Sequence, residues 1–192
     1  MMHKPFSDNA DNILPFILPN TIGAEIGVWK GYSSKKFLKK NLKKLYLVDP
    51  WSIEAFLLSP ELDYISKYAK TVGSNNPADF QKLYDSIYLN LAEEMKEYPE
   101  AEIFRQCSVD WFYSFTGEKL DWIYIDGDHT YTGVKSDLEN SLNVMKEDGI
   151  IFGDDFHQPE VKTAAYEFIA EHDLTIEVHN KFNFSINLKR VS

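Results

Sequence analysis

Asp121-Trp122-Ile123-Tyr124-Ile125-Asp126-Gly127-Asp128-His129 is a short apolar run that breaks abruptly into Asp-Gly-Asp-His. A continuous apolar run of this length reads as a strand buried on both faces, the kind that parallel sheets carry beneath covering helices. A carboxylate at the C-terminal edge of such a strand lies where open α/β sheets bind ligands. A second run, Ile150-Ile151-Phe152, breaks the same way into Gly153-Asp154-Asp155. Two strands that each end in acids predict one shared cation site.

The surrounding chain alternates strands and helices. Upstream, residues 21–28 read as strand one, followed by a glycine-containing turn at 29–32. Ser33 or Ser34 is expected to cap a helix that buries Phe37 and Leu38. Leu45-Tyr46-Leu47-Val48 reads as strand two, stopped by Pro50. Residues 51–76 look irregular, which is long for a connection between packed elements and suits a binding loop. Phe80, Leu83, Ile87 and Leu91 recur at helical spacing and predict a helix over 78–98. Strand three is expected at 101–105, a short helix at 108–115 and strand four at 120–126. Val134, Leu138, Leu142 and Met145 mark the apolar face of the next helix. Glu147-Asp148-Gly149 is read as a turn into strand five at 150–153. Val161, Ala165, Phe168 and Ile169 mark a last helix, and 174–179 with 184–189 alternate as an antiparallel pair. The order predicts an α/β fold, doubly wound, with a mostly parallel sheet and an antiparallel C-terminal edge hairpin. Residues 1–20, with Pro5, Pro15 and Pro19, read as an N-terminal arm containing a short helix at 12–18. Residues 21–192 then form a single domain, with 51–100 as an insertion suited to a lid or a binding wall.

Composition narrows the function. A chain of 192 residues, 44% hydrophobic, suits one domain with a sizeable core, since domains typically hold about 100–200 residues. Its net charge of −10 argues against nucleic acid and anionic membranes, and suits cations. One cysteine, Cys107, makes no internal disulfide. With no secretory signal evident, a cytoplasmic, reduced location is expected. The longest apolar runs fall well short of the ~20 residues of a spanning helix.

Glu25-Ile26-Gly27-Val28-Trp29-Lys30-Gly31 sits between a predicted strand and a helix. Glycines there let backbone approach a ligand, and the helix start offers free N–H groups. Asp49 ends the next strand, near the ~20-residue offset at which an acid takes ribose hydroxyls. Trp29 stands where a dinucleotide fold has the second glycine of G-x-G, which tells against NAD. Such a turn can also serve geometry alone.

In order, residues 24–34 (Ala24-Glu25-Ile26-Gly27 through Ser34), Leu47-Val48-Asp49-Pro50-Trp51, Ile125-Asp126-Gly127-Asp128-His129 and Gly153-Asp154-Asp155 resemble a class I S-adenosylmethionine (SAM)-dependent methyltransferase. The set is most similar to the small branch related to macrocin-type (macrolide-sugar) O-methyltransferases, and more distantly to catechol O-methyltransferase. The motifs span 21–156, and the predicted elements extend the match to about residue 190. The resemblance implies a seven-stranded Rossmann-like sheet with SAM over the C-terminal ends of the first strands. It implies that Glu25, Gly27 and Gly31 surround the methionine part of SAM, that Asp49 binds the ribose, and that Cys107-Ser108 lies at the adenine. Trp51 could stack on the adenine or simply pack. Asp126 would border the donor as well as serve the chemistry.

By the same resemblance, Asp126, Asp154 and Asp155 match the acid positions of metal-dependent members. The residues themselves agree: hard oxygen ligands suit Mg²⁺, and three converging carboxylates without a cation repel. Asp155 could instead cap the helix near Pro159. His129, three positions after Asp126, falls where metal-dependent relatives carry a general base, and an imidazole with pKa near 6.5 can take a hydroxyl proton. It could equally cap a helix or bond within its loop. Asp128 could orient His129 or contact the donor methyl, and His157 is a second candidate for substrate contact. His3, His172 and His179 are expected to be solvated. Tyr64, Tyr68, Tyr84 and Tyr88 could line a wall for a sugar or phenolic acceptor, or pack the helix.

The expected reaction is Mg²⁺-assisted methyl transfer from SAM to a hydroxyl oxygen of a small molecule, with a homo-oligomer possible. Two alternatives remain. A metal-dependent hydrolase of phosphoesterase type would suit the acids, but it leaves the glycine turn and Asp49 unexplained. A non-catalytic SAM-binding protein would leave His129 and the acids without work.

Overall fold

The computed structural model describes residues 9–57, 69 and 72–189. His3, Tyr64 and Tyr68 lie outside the described residues. Seven strands form one sheet: β1 (Ile22–Ile26), β2 (Lys44–Asp49), β3 (Ala101–Arg105), β4 (Leu120–Ile125), β5 (Met145–Gly153), β6 (Ile176–His179) and β7 (Asn183–Asn187). Their order is β3-β2-β1-β4-β5-β7-β6. The first five are parallel, and β7 runs antiparallel to both β5 and β6. The chain reverses its direction of travel across the sheet between β1 and β4, the place where open α/β sheets form a ligand crevice.

The apolar strands are covered on both sides, as their unbroken hydrophobicity requires. Alternate residues serve opposite faces. Ile22, Ala24, Ile26, Ile123 and Ile125 pack with helices Ser108–Ser114, Tyr131–Ser141 and Pro159–His172. Leu45, Leu47, Trp122 and Tyr124 pack with helices Tyr32–Leu38 and Pro77–Met95, and with Ala10, Ile13 and Ile17 of the N-terminal arm. No helix among the described residues is long and apolar enough to cross a membrane.

Several local expectations change. The arm forms two 3-10 turns, Asn9–Asn12 and Leu14–Phe16, rather than one helix over 12–18; Pro15 has no N–H to continue a helical ladder. The helix after β1 starts at Tyr32, with Gly31 as its N-cap in the left-handed conformation at φ 68°. Ser33 and Ser34 are therefore buried in the first turn and do not cap it. Residues 53–57, expected to be irregular, form the helix Ile53–Leu57. Glu147-Asp148-Gly149 is not a turn before β5 but lies inside it. Leu120 pairs with Met145 while Trp122 pairs with Ile150, so the extra residues are absorbed as a register shift. His172 and His179 are part-buried and bonded, His172 Nε2 to Glu139 Oε2 at 2.9 Å and His179 Nε2 to Ser185 Oγ at 2.8 Å. They are not simply solvated.

Candidate active site

Parallel register lines up the strand ends. Ile26 lies between Val48 and Ile125, and Ile125 pairs with Gly153. One residue further on, Gly27, Asp49, Asp126 and Asp154 share one edge of the sheet. Asp49 pairs with Arg105 on β3, which brings Ser108 to the far side of the same edge. Residues far apart in the sequence thus meet at one edge, with Glu25 two positions back from it inside β1.

The glycine turn is fixed by its neighbours. Gly27 has φ 89°, donates its N–H to Val48 O at 2.9 Å, and passes so close to β4 that a Cβ would lie 2.1 Å from Asp126 O. Glycine is required there on both counts. Glu25 is buried on β1 and accepts from Ser34 Oγ in the following helix. Asp49 is nearly buried; its Oδ2 accepts Trp29 N–H at 2.9 Å and its Oδ1 accepts Trp51 N–H at 2.7 Å. Burial raises its pKa, and those backbone donors oppose the rise. Trp51 is fully enclosed, with its ring 5.2 Å from Tyr88. It presents no face to a nucleoside. Tyr84 stands edge-on to Trp29 at 5.2 Å, so Tyr84 packs the helix onto the glycine turn and Tyr88 packs it onto Trp51 after β2.

The acids lie on the β4 and β5 side of the same edge. His129 Nε2 is 3.3 Å from Asp126 Oδ1 and 3.0 Å from Asp155 Oδ2. Their ligand atoms lie within 4.8 Å of one another, close enough to surround a metal ion. Asp126 keeps 29% of its side chain open. Burial drives its pKa up to about 7, with Asp154 and Asp155 adding to the rise and His129 opposing it. Burial works against a charged His129, yet the bond to Asp126 and the charges of the three acids leave its pKa raised.

Asp154 stands apart from that trio. Its Oδ2 accepts the buried Tyr124 hydroxyl at 2.9 Å, and its Oδ1 accepts Asn183 Nδ2 at 3.2 Å and Asp155 N–H at 2.7 Å. That last bond holds Asp155 at φ 54°, a left-handed turn that aims its side chain back at His129. Asn183 Oδ1 in turn accepts Asn12 Nδ2 at 2.8 Å, tying the N-terminal arm to the acids. Asp155 does not cap the following helix; Gln158 is its N-cap, and Gln158 Nε2 donates to Asp155 Oδ2 at 2.7 Å. Thr130, not His129, caps the Tyr131–Ser141 helix. Asp128 accepts Thr130 N–H and Oγ1–H, both at 3.0 Å, so these bonds hold the start of the next helix rather than His129. His157 is half exposed, with Nδ1 3.4 Å from Asp155 Oδ1.

Sequence reasoning passed over Asp137. It is buried on the Tyr131–Ser141 helix and accepts a hydrogen bond from Ser108, so it supports the loop expected at the adenine. The signal was present, because an acid there falls in the stripe of Val134, Leu138 and Ser141. Burial lifts its pKa from 3.8 to about 7, with Asp128 adding to the rise and Ser108 opposing it. Between those values the folded state holds a proton that the unfolded state has lost, so stability falls as pH rises through that window. The cost at pH 8 is on the order of 4 kcal/mol. Asp137→Asn removes the titration. Urea unfolding at pH 4, 6 and 8 is expected to show the variant gaining on the parent as pH rises, by roughly 2–4 kcal/mol in all. A pH-independent difference would show that Asp137 ionises freely.

The sequence pattern of the family described as "Methyltransferase domain" matches residues 24–156. No curated protein matches the chain. Among solved structures, an O-methyltransferase from Bacillus cereus in complex with SAH is similar at TM-score 0.60 and 15% identity, over 97% of this chain and 84% of that one. An rRNA methylase from Streptococcus thermophilus gives TM-score 0.58 at 10% identity, over 100% of this chain and 99% of that one. Spermidine synthase from Thermotoga maritima gives 0.56 at 16% identity, over 96% of this chain and 57% of that one. Likeness at such identities concerns the fold, on which different acceptors are served.

Proposed function

The chain belongs to the methyltransferase-domain family, and on that footing we propose that it transfers a methyl group from SAM to a hydroxyl oxygen of a small molecule, with a divalent cation assisting. The observation that carries this reading is the convergence of Asp126, His129 and Asp155 across the crevice from the Gly27 turn and Asp49.

The donor set suits Mg²⁺. The carboxylate oxygens are hard ligands, and the charges of Asp154 and Asp155 add to the rise that burial causes at Asp126. Asp126 and Asp155 would hold the ion directly. Asp154, tied to Tyr124 and Asn183, would have to release a partner to join them. When bound, the ion lowers the pKa of a hydroxyl and fixes its position, and SAM supplies an electrophilic methyl on sulfur. The protein does the rest. Gly27 and Gly31 let the turn pack tightly on β4 and on Leu91 so that its backbone borders the methionine part of the donor, and buried Glu25 supports that turn through Ser34. Asp49 takes the ribose, and Ser108 with Asp137 shapes the adenine end. His129 receives the hydroxyl proton on Nε2; cancelling the charge of Asp126 and Asp155 would remove part of what raises the pKa of the imidazole. Alignment of oxygen and methyl supplies much of the rate, up to ~7–11 kcal/mol in favourable cases.

A net charge of −10 favours a small acceptor over nucleic acid. A hydroxylated sugar or phenol fits the proposed chemistry. Calorimetric titration with SAM, with and without Mg²⁺, followed by a methylation screen of sugars and phenols, tests the reading. Saturable SAM binding and Mg²⁺-stimulated turnover are expected. No SAM binding would overturn it, and equal turnover in chelator would remove the metal. Phosphate release from a generic ester would instead favour the hydrolase.

A further inference from the structure

We propose that Arg105 and Gln81 are positioning residues for ribose recognition, acting on Asp49 through the backbone of Trp51. The inference rests on the reading above, in which Asp49 takes the ribose of the methyl donor.

Each oxygen of Asp49 already accepts one backbone N–H, from Trp29 and from Trp51. Those two bonds, with Val28 as a third backbone donor, set the rotation of the carboxylate, and what acceptor capacity remains serves the hydroxyls. Both donors sit in the left-handed region, Trp29 at φ 50° and Trp51 at φ 39°. Bulky side chains avoid that region, so neighbouring contacts must hold them there.

The contacts are specific. Trp51 Nε1 donates to Trp29 O at 2.8 Å, joining the two tryptophans. The Trp51 carbonyl accepts from Gln81 Nε2 at 3.1 Å and from Arg105 Nη2 at 3.0 Å. Asp85 accepts from both Gln81, at 2.9 Å, and Arg105, which fixes the two donors relative to each other. Gln81 Oε1 also accepts Ile53 N–H at 3.0 Å, on the far side of Trp51 in the chain. The Arg105 guanidinium lies over the Tyr88 ring at 4.7 Å, and that ring packs on Trp51. Arg105 ends β3 directly opposite Asp49. Two side-chain donors thus converge on one peptide carbonyl, held together by a shared acceptor, Asp85. Releasing that carbonyl lets Trp51 relax to negative φ, which swings its N–H off Asp49 and leaves the carboxylate held only by Trp29 and Val28, so that it turns away from the orientation that meets the ribose.

The test compares SAH with its 2′,3′-dideoxy analogue by calorimetry, in the parent and in Arg105→Leu and Gln81→Leu. The parent should prefer SAH. Each variant should lose about tenfold in SAH affinity while binding the analogue within about twofold of the parent. A general structural defect would weaken both ligands alike, and that result overturns the proposal, as does retained preference for SAH. If Arg105→Leu does not fold, Gln81→Leu carries the test. A parent that binds SAH no better than the analogue removes ribose recognition by Asp49. A parent that binds neither overturns the functional reading itself, and this inference with it.

Discussion

Gly27→Ala is expected to destabilise the protein by at least about 3 kcal/mol and to abolish donor binding. The new methyl group would lie 2.1 Å from Asp126 O and 2.6 Å from Gly127 Cα, both backbone atoms. Neither side can yield cheaply. Gly27 N–H is held by Val48 O at 2.9 Å, and Asp126 N–H by Ile26 O at 2.8 Å. A φ of 89° adds strain for any residue with a side chain. For a chain of this size the loss corresponds to a fall in Tm of about 6–12 °C. Thermal unfolding and SAH calorimetry check it. A variant that melts with the parent and still binds SAH would mean that β1 and β4 separate more readily at their ends than the register implies. Gly31→Ala should be milder, because the atom nearest to its added methyl is Cδ1 of Leu91, the end of a flexible side chain.

Asp126→Asn is expected to lower metal-stimulated turnover at least ~100-fold while changing SAH affinity by no more than about twofold. An amide keeps the shape of the side chain but removes the charge that would hold the cation and pair with His129 at 3.3 Å. Initial rates against Mg²⁺ concentration, together with SAH titration, separate the two effects. Unchanged turnover would shift the chemistry away from the acids. Loss of SAH binding would place Asp126 mainly with the donor.

The sheet was legible because its strands are buried on both faces, and burial writes unbroken apolar runs into the sequence. β3 was read to the residue, and the acids after β4 and β5 stood out because they end such runs. The bulge within β5 was not legible. Glu147-Asp148-Gly149 has the composition of a turn, and only its pairing with β4 shows that the strand continues through it. Capping was misread at Ser33 and Ser34 because serine is a common cap, whereas here Ser34 serves Glu25 across the turn. Within the site, types and order were legible but commitments were not. Asp154 and Asp155 are adjacent and alike in sequence. Their separate partners, Tyr124 and Asn183 for one and His129 for the other, depend on where distant strands end. Arg105, Gln81 and Asp85 carry no motif, and long-range packing alone brings them to Trp51.

The bond from Asn12 to Asn183, and onward to Asp154, changes how the irregular segment before β1 should be treated in engineering. A chimaera that borrows this segment from another protein must bring an amide at the same place. Otherwise the carbonyl of a fully enclosed asparagine is left without that donor, one side chain away from the reaction edge. Grafts made to broaden acceptor choice could then blunt the chemistry without touching any residue that contacts the substrate.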